Sequence, residues 1–165
     1  MSIMSPKCAI SRWQPSLPNF SCPLQRMERK HIPQAVRQAV AERAGRCCEY
    51  CRSQERYSVH SFSIDHVVPI SRGGATVPSN LAFACPGCNG HKHTKTTASD
   101  PVTLVTVGLF DPRTQAWGDH FAWNDDYSLI IGLSAVGRAT VEALDLNRAT
   151  LVNLRQALRE LRLHP

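Results

Sequence analysis

Ser63 to His93 reads SIDHVVPISRGGATVPSNLAFACPGCNGHKH, and the polar residues of this stretch decide how the rest of the chain is interpreted. The stretch contains an Asp65-His66 pair in an apolar run, Asn80 fourteen positions after His66, and a terminal Cys-x-x-Cys-Asn-x-x-x-His. Packing of a hydrophobic core does not require polar residues at these spacings. We therefore interpret the stretch as the chemical site and the flanking sequence as its support.

Two Cys-x-x-Cys pairs flank the Asp-His pair and use four of the seven cysteines in the chain. They are Cys48/Cys51 and Cys85/Cys88, with 33 residues between the pairs. Paired cysteines at this spacing indicate tetrahedral zinc, a closed site that stabilises a fold and leaves no position for substrate. Cys47 could replace Cys48, but the spacing would become Cys-x3-Cys, so Cys48 is favoured. Four buried cysteines without a metal are the alternative.

The pattern around these cysteines predicts a helix, then a strand, a loop, a second strand and another helix. Ile32 to Ala44 has helical periodicity. Val59 to Val68 is β-branched and aromatic, which predicts a strand that carries the Asp-His pair, and Leu81 to Ala84 predicts a short second strand. The last helix begins at Pro86, a residue favoured in the first turn.

The helix that begins at Pro86 separates its two histidines. Asn89 and His93 are four positions apart and share one face, with Lys92 beside them, whereas His91 is rotated away. We therefore expect Asn89 and His93, but not His91, to point into the site.

Beyond Asp100 the sequence predicts an extension of strands and helices. Val102 to Phe110 predicts a strand, and Phe121 to Leu133 predicts a hairpin. A helix follows Ser134, and Asn147 is predicted to cap a last helix. The apolar stripe of this helix packs on the core or forms a dimer; its members are Leu151, Leu154, Leu158 and Leu161.

Composition narrows the classes of partner that the protein could bind. The net charge of +6 is consistent with an anionic partner.

Residues 1–30 are rich in Pro and Ser and are predicted to be disordered, and Met27 is an alternative translation start to Met1. No apolar run is long enough for a membrane span and no secretory segment is recognised, so a cytoplasmic location is expected.

The chain resembles the HNH endonucleases in the order of its polar residues. These are Asp65-His66 and Asn80 between the two cysteine pairs, and Asn89 directly after the second pair. The similarity covers Ile32 to Thr97, and the last histidine of the family name is Asn89 in this chain. It implies an α+β fold: a ββα-metal finger (His-Me finger) nuclease core stapled by structural zinc, preceded by a helix and followed by a hairpin and helices. We accordingly divide the chain into residues 1–30, an HNH domain at 31–99, and an accessory extension at 100–165 packed on the core.

The resemblance also implies a catalytic scheme on duplex DNA. His66 is the general base, and Asn80 holds its loop. Asp65, Asn89 and His93 would bind one divalent cation, Mg²⁺ or Mn²⁺, in addition to structural Zn²⁺. The products would carry 5′-phosphate and 3′-hydroxyl ends. Candidate phosphate contacts are Arg72, Lys92 and Lys95.

Three classes of function compete at this point. A metal-dependent DNA endonuclease is the leading one. A zinc-stabilised nucleic-acid-binding module without activity is the second, although such a module would be free to lose Asp65, His66 and Asn80. A redox or metal-handling protein is disfavoured, since neither cysteine pair lies in a thioredoxin-like βαβ pattern.

Overall fold

Residues 32–164 are described by the computed structural model, and the predictions for residues 1–30 lie outside this range. Helices and two-stranded antiparallel sheets alternate, so the fold is α+β. The helices are α1 (Gln34–Arg43), α2 (Pro86–Lys92), α3 (Trp117–His120), α4 (Ala135–Ala143) and α5 (Ala149–Glu160). The strands are β1 (Ser63–His66), β2 (Leu81–Ala84), β3 (Thr97–Ser99), β4 (Thr106–Gly108), β5 (Phe121–Trp123) and β6 (Ile130–Gly132).

β1, β2 and α2 form the unit that carries the predicted site. The strands pair antiparallel from Ser63 opposite Ala84 to His66 opposite Leu81. β2 and the start of α2 lie where the sequence predicts them. The predicted strand over 59–68 is too long, because only four residues find partners in β2 and Val59 is 94% exposed.

The first cysteine turn and α1 pack against β2. The backbone N–H of Glu49 donates to the carbonyl of Phe83 at 2.9 Å, and the Glu49 carboxylate accepts from the Phe83 N–H at 2.7 Å. Val40 and Ala41 of α1 are buried in the same core. The first Cys-x-x-Cys turn is therefore bonded directly to the strand that leads into the second.

The extension contains two hairpins. β5 and β6 pair antiparallel as predicted, and the turn is closed by Asn124, whose Oδ1 accepts from the Leu129 N–H at 2.9 Å. The predicted strand over 102–110 is only partly correct. Thr106–Gly108 pairs with β3, while the preceding residues form an exposed loop in which Leu104 has φ +59°.

α4 begins as predicted, because Ser134 Oγ accepts from the Gly137 N–H at 3.0 Å. The predicted cap of the last helix is wrong. Arg148 occupies the cap position of α5, and the Asn147 amide instead bonds the backbone N–H and C=O of Ile130 at 2.8 and 2.9 Å. Asn147 therefore stabilises the β5–β6 hairpin and not the helix.

One hydrophobic cluster extends from α1 through β2 into the extension, reaching Phe110, Phe121 and Leu151. In the apolar stripe of α5, Leu151 and Leu158 are buried, whereas Leu161 is 67% exposed. The boundary between residues 99 and 100 stays a sequence-based prediction, as does the choice between monomer and dimer. Among residues 32–164, no helix has the length and apolar character needed to cross a membrane.

Candidate active site and metal centre

Four thiols form a compact cluster between the first cysteine turn and the start of α2. The Sγ atoms of Cys48, Cys51, Cys85 and Cys88 all lie within 4.8 Å of one another, and those of Cys51 and Cys85 are 3.7 Å apart. Zinc–sulfur bonds of about 2.3 Å in a tetrahedron place sulfur atoms about 3.8 Å apart. The cluster therefore fits a structural zinc ion, while Cys47 stands outside it, as the spacing predicts.

The second cysteine pair joins this cluster to α2. Cys85 is the cap residue of the helix, and its Sγ accepts from the Cys88 N–H at 3.4 Å. Arg148, at the start of α5, donates to Cys85 Sγ at 3.3 Å and to Cys88 Sγ at 3.8 Å. A cation from the extension therefore lies against two of the sulfur atoms.

An open cavity of about 260 Å³ brings four of the other predicted site residues together. Asp65, His66, Asn89 and His93 all line it. A larger cavity of about 420 Å³ lies beside α1, but none of the four residues borders it. We place the candidate active site in the smaller cavity, because only that one contains acid–base and metal-binding side chains in the predicted combination.

Asp65 is buried and held from two sides. Its Oδ2 accepts from the Tyr50 hydroxyl at 2.7 Å, and Lys92 Nζ lies 3.0 Å from Oδ2 and 3.2 Å from Oδ1. Burial raises the pKa of Asp65, whereas Lys92 and Tyr50 act in the opposite direction. Burial also raises the pKa of Tyr50 well above its usual value, so its hydroxyl remains a donor.

The prediction that Lys92 contacts phosphate is wrong. Its side chain is 2% exposed and pairs with Asp65, and Nζ also donates to the carbonyl of His66 at 2.8 Å. A buried ammonium needs such a partner, because desolvation of an isolated charge is costly. Lys92 thus fastens α2 to the end of β1 from inside the protein.

His66 faces the cavity at the end of β1 and contacts one side chain of the following loop. Its Nε2 lies 2.9 Å from Thr76 Oγ1. Burial lowers the pKa of His66 below its ordinary 6.5, with Asp65 opposing and Lys92 reinforcing the shift. The ring is therefore neutral at pH 7 and able to accept a proton.

Asn80 lies behind the loop and does not line the cavity. Its Oδ1 accepts from the Val68 N–H at 2.8 Å, and its Nδ2 donates to the carbonyls of Val68 and Ala75, both at 2.9 Å. Gly74 is required here, because a Cβ would overlap the Val68 carbonyl and approach Asn80 Nδ2 to 2.9 Å. The amide thus closes the loop that carries Thr76.

The metal-binding candidates on α2 occupy different environments. Asn89 is half-buried within the helix, whereas His93 is exposed at its end with φ +47°. This backbone conformation is unfavourable for a residue with a Cβ, and six other non-glycine residues among those described also have a positive φ. Amide oxygen, imidazole and carboxylate together are donors that suit a divalent cation.

Arg72 and Lys95 are exposed, as phosphate-binding residues must be. Arg72 donates to Thr96 Oγ1 at 3.2 Å, and Lys95 donates to the Ala143 carbonyl at 3.2 Å. Sequence reasoning missed two residues of the site, Tyr50 and Thr76. The position of Tyr50 inside the first Cys-x-x-Cys pair was a usable signal, whereas nothing in the local pattern distinguishes Thr76.

Comparison with known families agrees with this geometry. Residues 48–95 match the family model described as HNH endonuclease, a range that includes both cysteine pairs and every residue that lines the candidate active site. This part of the chain is therefore similar to HNH endonuclease domains. No curated protein matches the chain.

Proposed function

We propose that the chain is a metal-dependent endonuclease that hydrolyses DNA phosphodiester bonds. The observation that carries this proposal is the shared cavity of Asp65, His66, Asn89 and His93, within the segment that matches the HNH endonuclease model. The cavity is open to solvent, so a phosphate group could enter it.

His66 acts as the general base. If its Nε2–H donates to Thr76 Oγ1, the tautomer leaves Nδ1 free to take a proton from the attacking water. Asn80 keeps the loop in the conformation that places Thr76 against the ring. Lys92, by holding the His66 carbonyl, fixes the backbone from which the imidazole projects.

Asp65, Asn89 and His93 would hold one divalent cation, Mg²⁺ or Mn²⁺. Such an ion supplies Lewis-acid stabilisation of the charge that develops on the phosphate and on the 3′ leaving oxygen. The Asp65 carboxylate has about four acceptor positions, and the hydrogen bonds from Tyr50 and Lys92 use two of them. The carboxylate therefore keeps acceptor capacity for a cation, and hydrolysis would leave 5′-phosphate and 3′-hydroxyl ends.

The exposed cations Arg72 and Lys95 would bind phosphates that neighbour the scissile one. Positive charge at a nucleic-acid interface supplies most of the sequence-independent affinity. We propose duplex DNA as the substrate, and a cytoplasmic location in which the four thiols remain available to zinc.

The test is incubation of the purified zinc-containing protein with supercoiled plasmid in Mg²⁺, Mn²⁺ or EDTA. Relaxation or linearisation that requires the cation is expected. His66→Ala should lose cleavage by roughly 10²- to 10⁴-fold, because that is the usual contribution of a general base, with zinc content and DNA binding retained. Cleavage by this variant at the wild-type rate would refute the assignment.

A nucleic-acid-binding module without activity is the second candidate. The observation in its favour is the Lys92–Asp65 ion pair, which already compensates the carboxylate in the manner expected of a structural residue. Such a module would bind plasmid in the presence of EDTA and leave it supercoiled in Mg²⁺ and Mn²⁺.

A further inference from the structure

Tyr50 connects the zinc-type cluster to the candidate active site. It lies between Cys48 and Cys51 in the sequence, is fully buried, and donates its hydroxyl to Asp65 Oδ2 at 2.7 Å. Its ring therefore passes from the cysteine turn to the carboxylate through the core. Among the residues described, Lys92 is the other side chain that bonds Asp65.

The backbone of Tyr50 is held by the C-terminal extension. Trp117 Nε1 donates to the Tyr50 carbonyl at 3.0 Å, and the Trp117 ring packs against Phe121 with centroids 5.2 Å apart. Trp117 and Tyr50 are 67 positions apart in the chain. The extension thus contacts the turn that delivers the tyrosine.

The hydrogen bonds from Tyr50 and Lys92 restrict the rotation of the Asp65 carboxylate. A carboxylate with a single partner can rotate, but Tyr50 and Lys92 bond it from different elements and fix the plane of its oxygen atoms. Partners of this kind orient a metal-binding carboxylate without touching the metal. Replacement of such partners typically costs 10- to 100-fold in metal affinity or activity.

We propose that Tyr50 is a positioning residue that orients Asp65 toward the catalytic cation, and that Trp117 holds Tyr50 in place for this purpose. The inference rests on the proposed function, and it assigns the extension a part in building the nuclease site. It also gives Tyr50 a role different from that of Cys48 and Cys51, which belong to the zinc-type cluster.

The test is Tyr50→Phe, which removes the hydroxyl and keeps the ring. Mn²⁺ binding to the zinc-loaded protein is measured by electron paramagnetic resonance, and plasmid cleavage is measured as a function of Mn²⁺ concentration. Mn²⁺ binding should be 10- to 100-fold weaker, and cleavage should need a correspondingly higher Mn²⁺ concentration, recovering when Mn²⁺ is raised far enough. Tyr57→Phe is the matched control and should behave as wild type, because Tyr57 lies in a surface turn beside Arg56.

Unchanged Mn²⁺ affinity in Tyr50→Phe would overturn the inference, as would a loss of cleavage rate that high Mn²⁺ does not restore. If Tyr50→Phe loses zinc, Trp117→Phe serves instead, with a weaker change in the same direction expected and no change counting against the inference. A wild-type protein that binds Mn²⁺ without cutting DNA would refute the nuclease proposal alone, since the binding comparison still tests Tyr50. A wild-type protein that binds no Mn²⁺ would overturn both.

Discussion

At the scale of single residues, the chemistry depends on which hydrogen bonds the reactive side chains already make. The Nε2 atom of His66 lies against Thr76 Oγ1, and the residue lines the cavity. Asp65 accepts one hydrogen bond from Tyr50 and one from Lys92 and keeps further acceptor capacity. In the proposed mechanism the two adjacent residues have different tasks, since His66 accepts a proton and Asp65 holds a cation.

Thr76→Val should lower the cleavage rate about five- to tenfold, because loss of one hydrogen bond worth about 1 kcal/mol frees the His66 ring. Thr76→Ser keeps a hydroxyl and should retain most of the rate. The measurement is single-turnover cleavage of plasmid at saturating Mg²⁺. Equal rates for the Val and Ser variants would mean that the Thr76 contact does not orient the base.

Cleavage should depend on pH in a direction set by His66. Burial lowers its pKa, so the neutral ring persists below the ordinary value of 6.5, and the rate should stay level from pH 8 down to that value. The rate should fall as pH decreases further, because the ring becomes protonated and, with its raised pKa, the Asp65 carboxyl becomes neutral earlier than an exposed one. A rate that already falls between pH 8 and 7 would contradict this.

At the scale of elements, α2 is fixed at both ends by different kinds of contact. Its first turn rests on the cysteine cluster, and its last turn is tied to β1 through Lys92. Arg148 at the start of α5 adds positive charge beside Cys85 and Cys88. Four thiolates around Zn²⁺ carry a net charge of about −2, which such a cation stabilises.

Arg148→Ala should therefore bind zinc about 10- to 100-fold more weakly, as expected for loss of a partner of the ligands. Zinc release to a chromogenic chelator measures this without reference to cleavage. Arg159→Ala is the control on the same helix, since Arg159 bonds the Asp126 carbonyl at 2.8 Å. Identical release from the two variants would show that Arg148 does not support the metal.

At the scale of the whole molecule, residues of the C-terminal extension form hydrogen bonds with the segment that carries the candidate site. The buried Arg155 donates to the carbonyls of Cys51, Leu146 and Ser128 at 3.4, 2.9 and 3.0 Å. The Gln54 amide donates to the Leu163 carbonyl at 2.9 Å. The cysteine turn is thus covered by residues from the far end of the chain.

A fragment of residues 31–99 should fail to fold stably, because it lacks Phe110, Phe121 and Leu151 and exposes the apolar surface that packs against them in the shared cluster. Circular dichroism and zinc content after expression of this fragment provide the measurement, with residues 31–165 as the control. A fragment that folds and retains one zinc ion would establish 31–99 as an independent domain.

Much of the site was predictable because its signals are local. The Cys-x-x-Cys spacing, the four-residue interval from Asn89 to His93 and the proline at the start of α2 each act within one or two turns of backbone. The predictions for Val59–Val68 and Asn147 were wrong because they also relied on local signals alone. The length of a strand depends on a partner strand elsewhere in the chain. Asn147 accepts a hydrogen bond from the backbone N–H of Ile130, seventeen positions away.

By itself, the sequence determined the ligand types, their spacing and the order of helices and strands, since these follow from residue chemistry and local periodicity. Only the tertiary structure decided that Lys92 is buried against Asp65, that Thr76 contacts His66, and that Tyr50 links the cysteine turn to the candidate active site. Each of these contacts joins residues ten or more positions apart. Their formation depends on how whole elements pack, which no local pattern records.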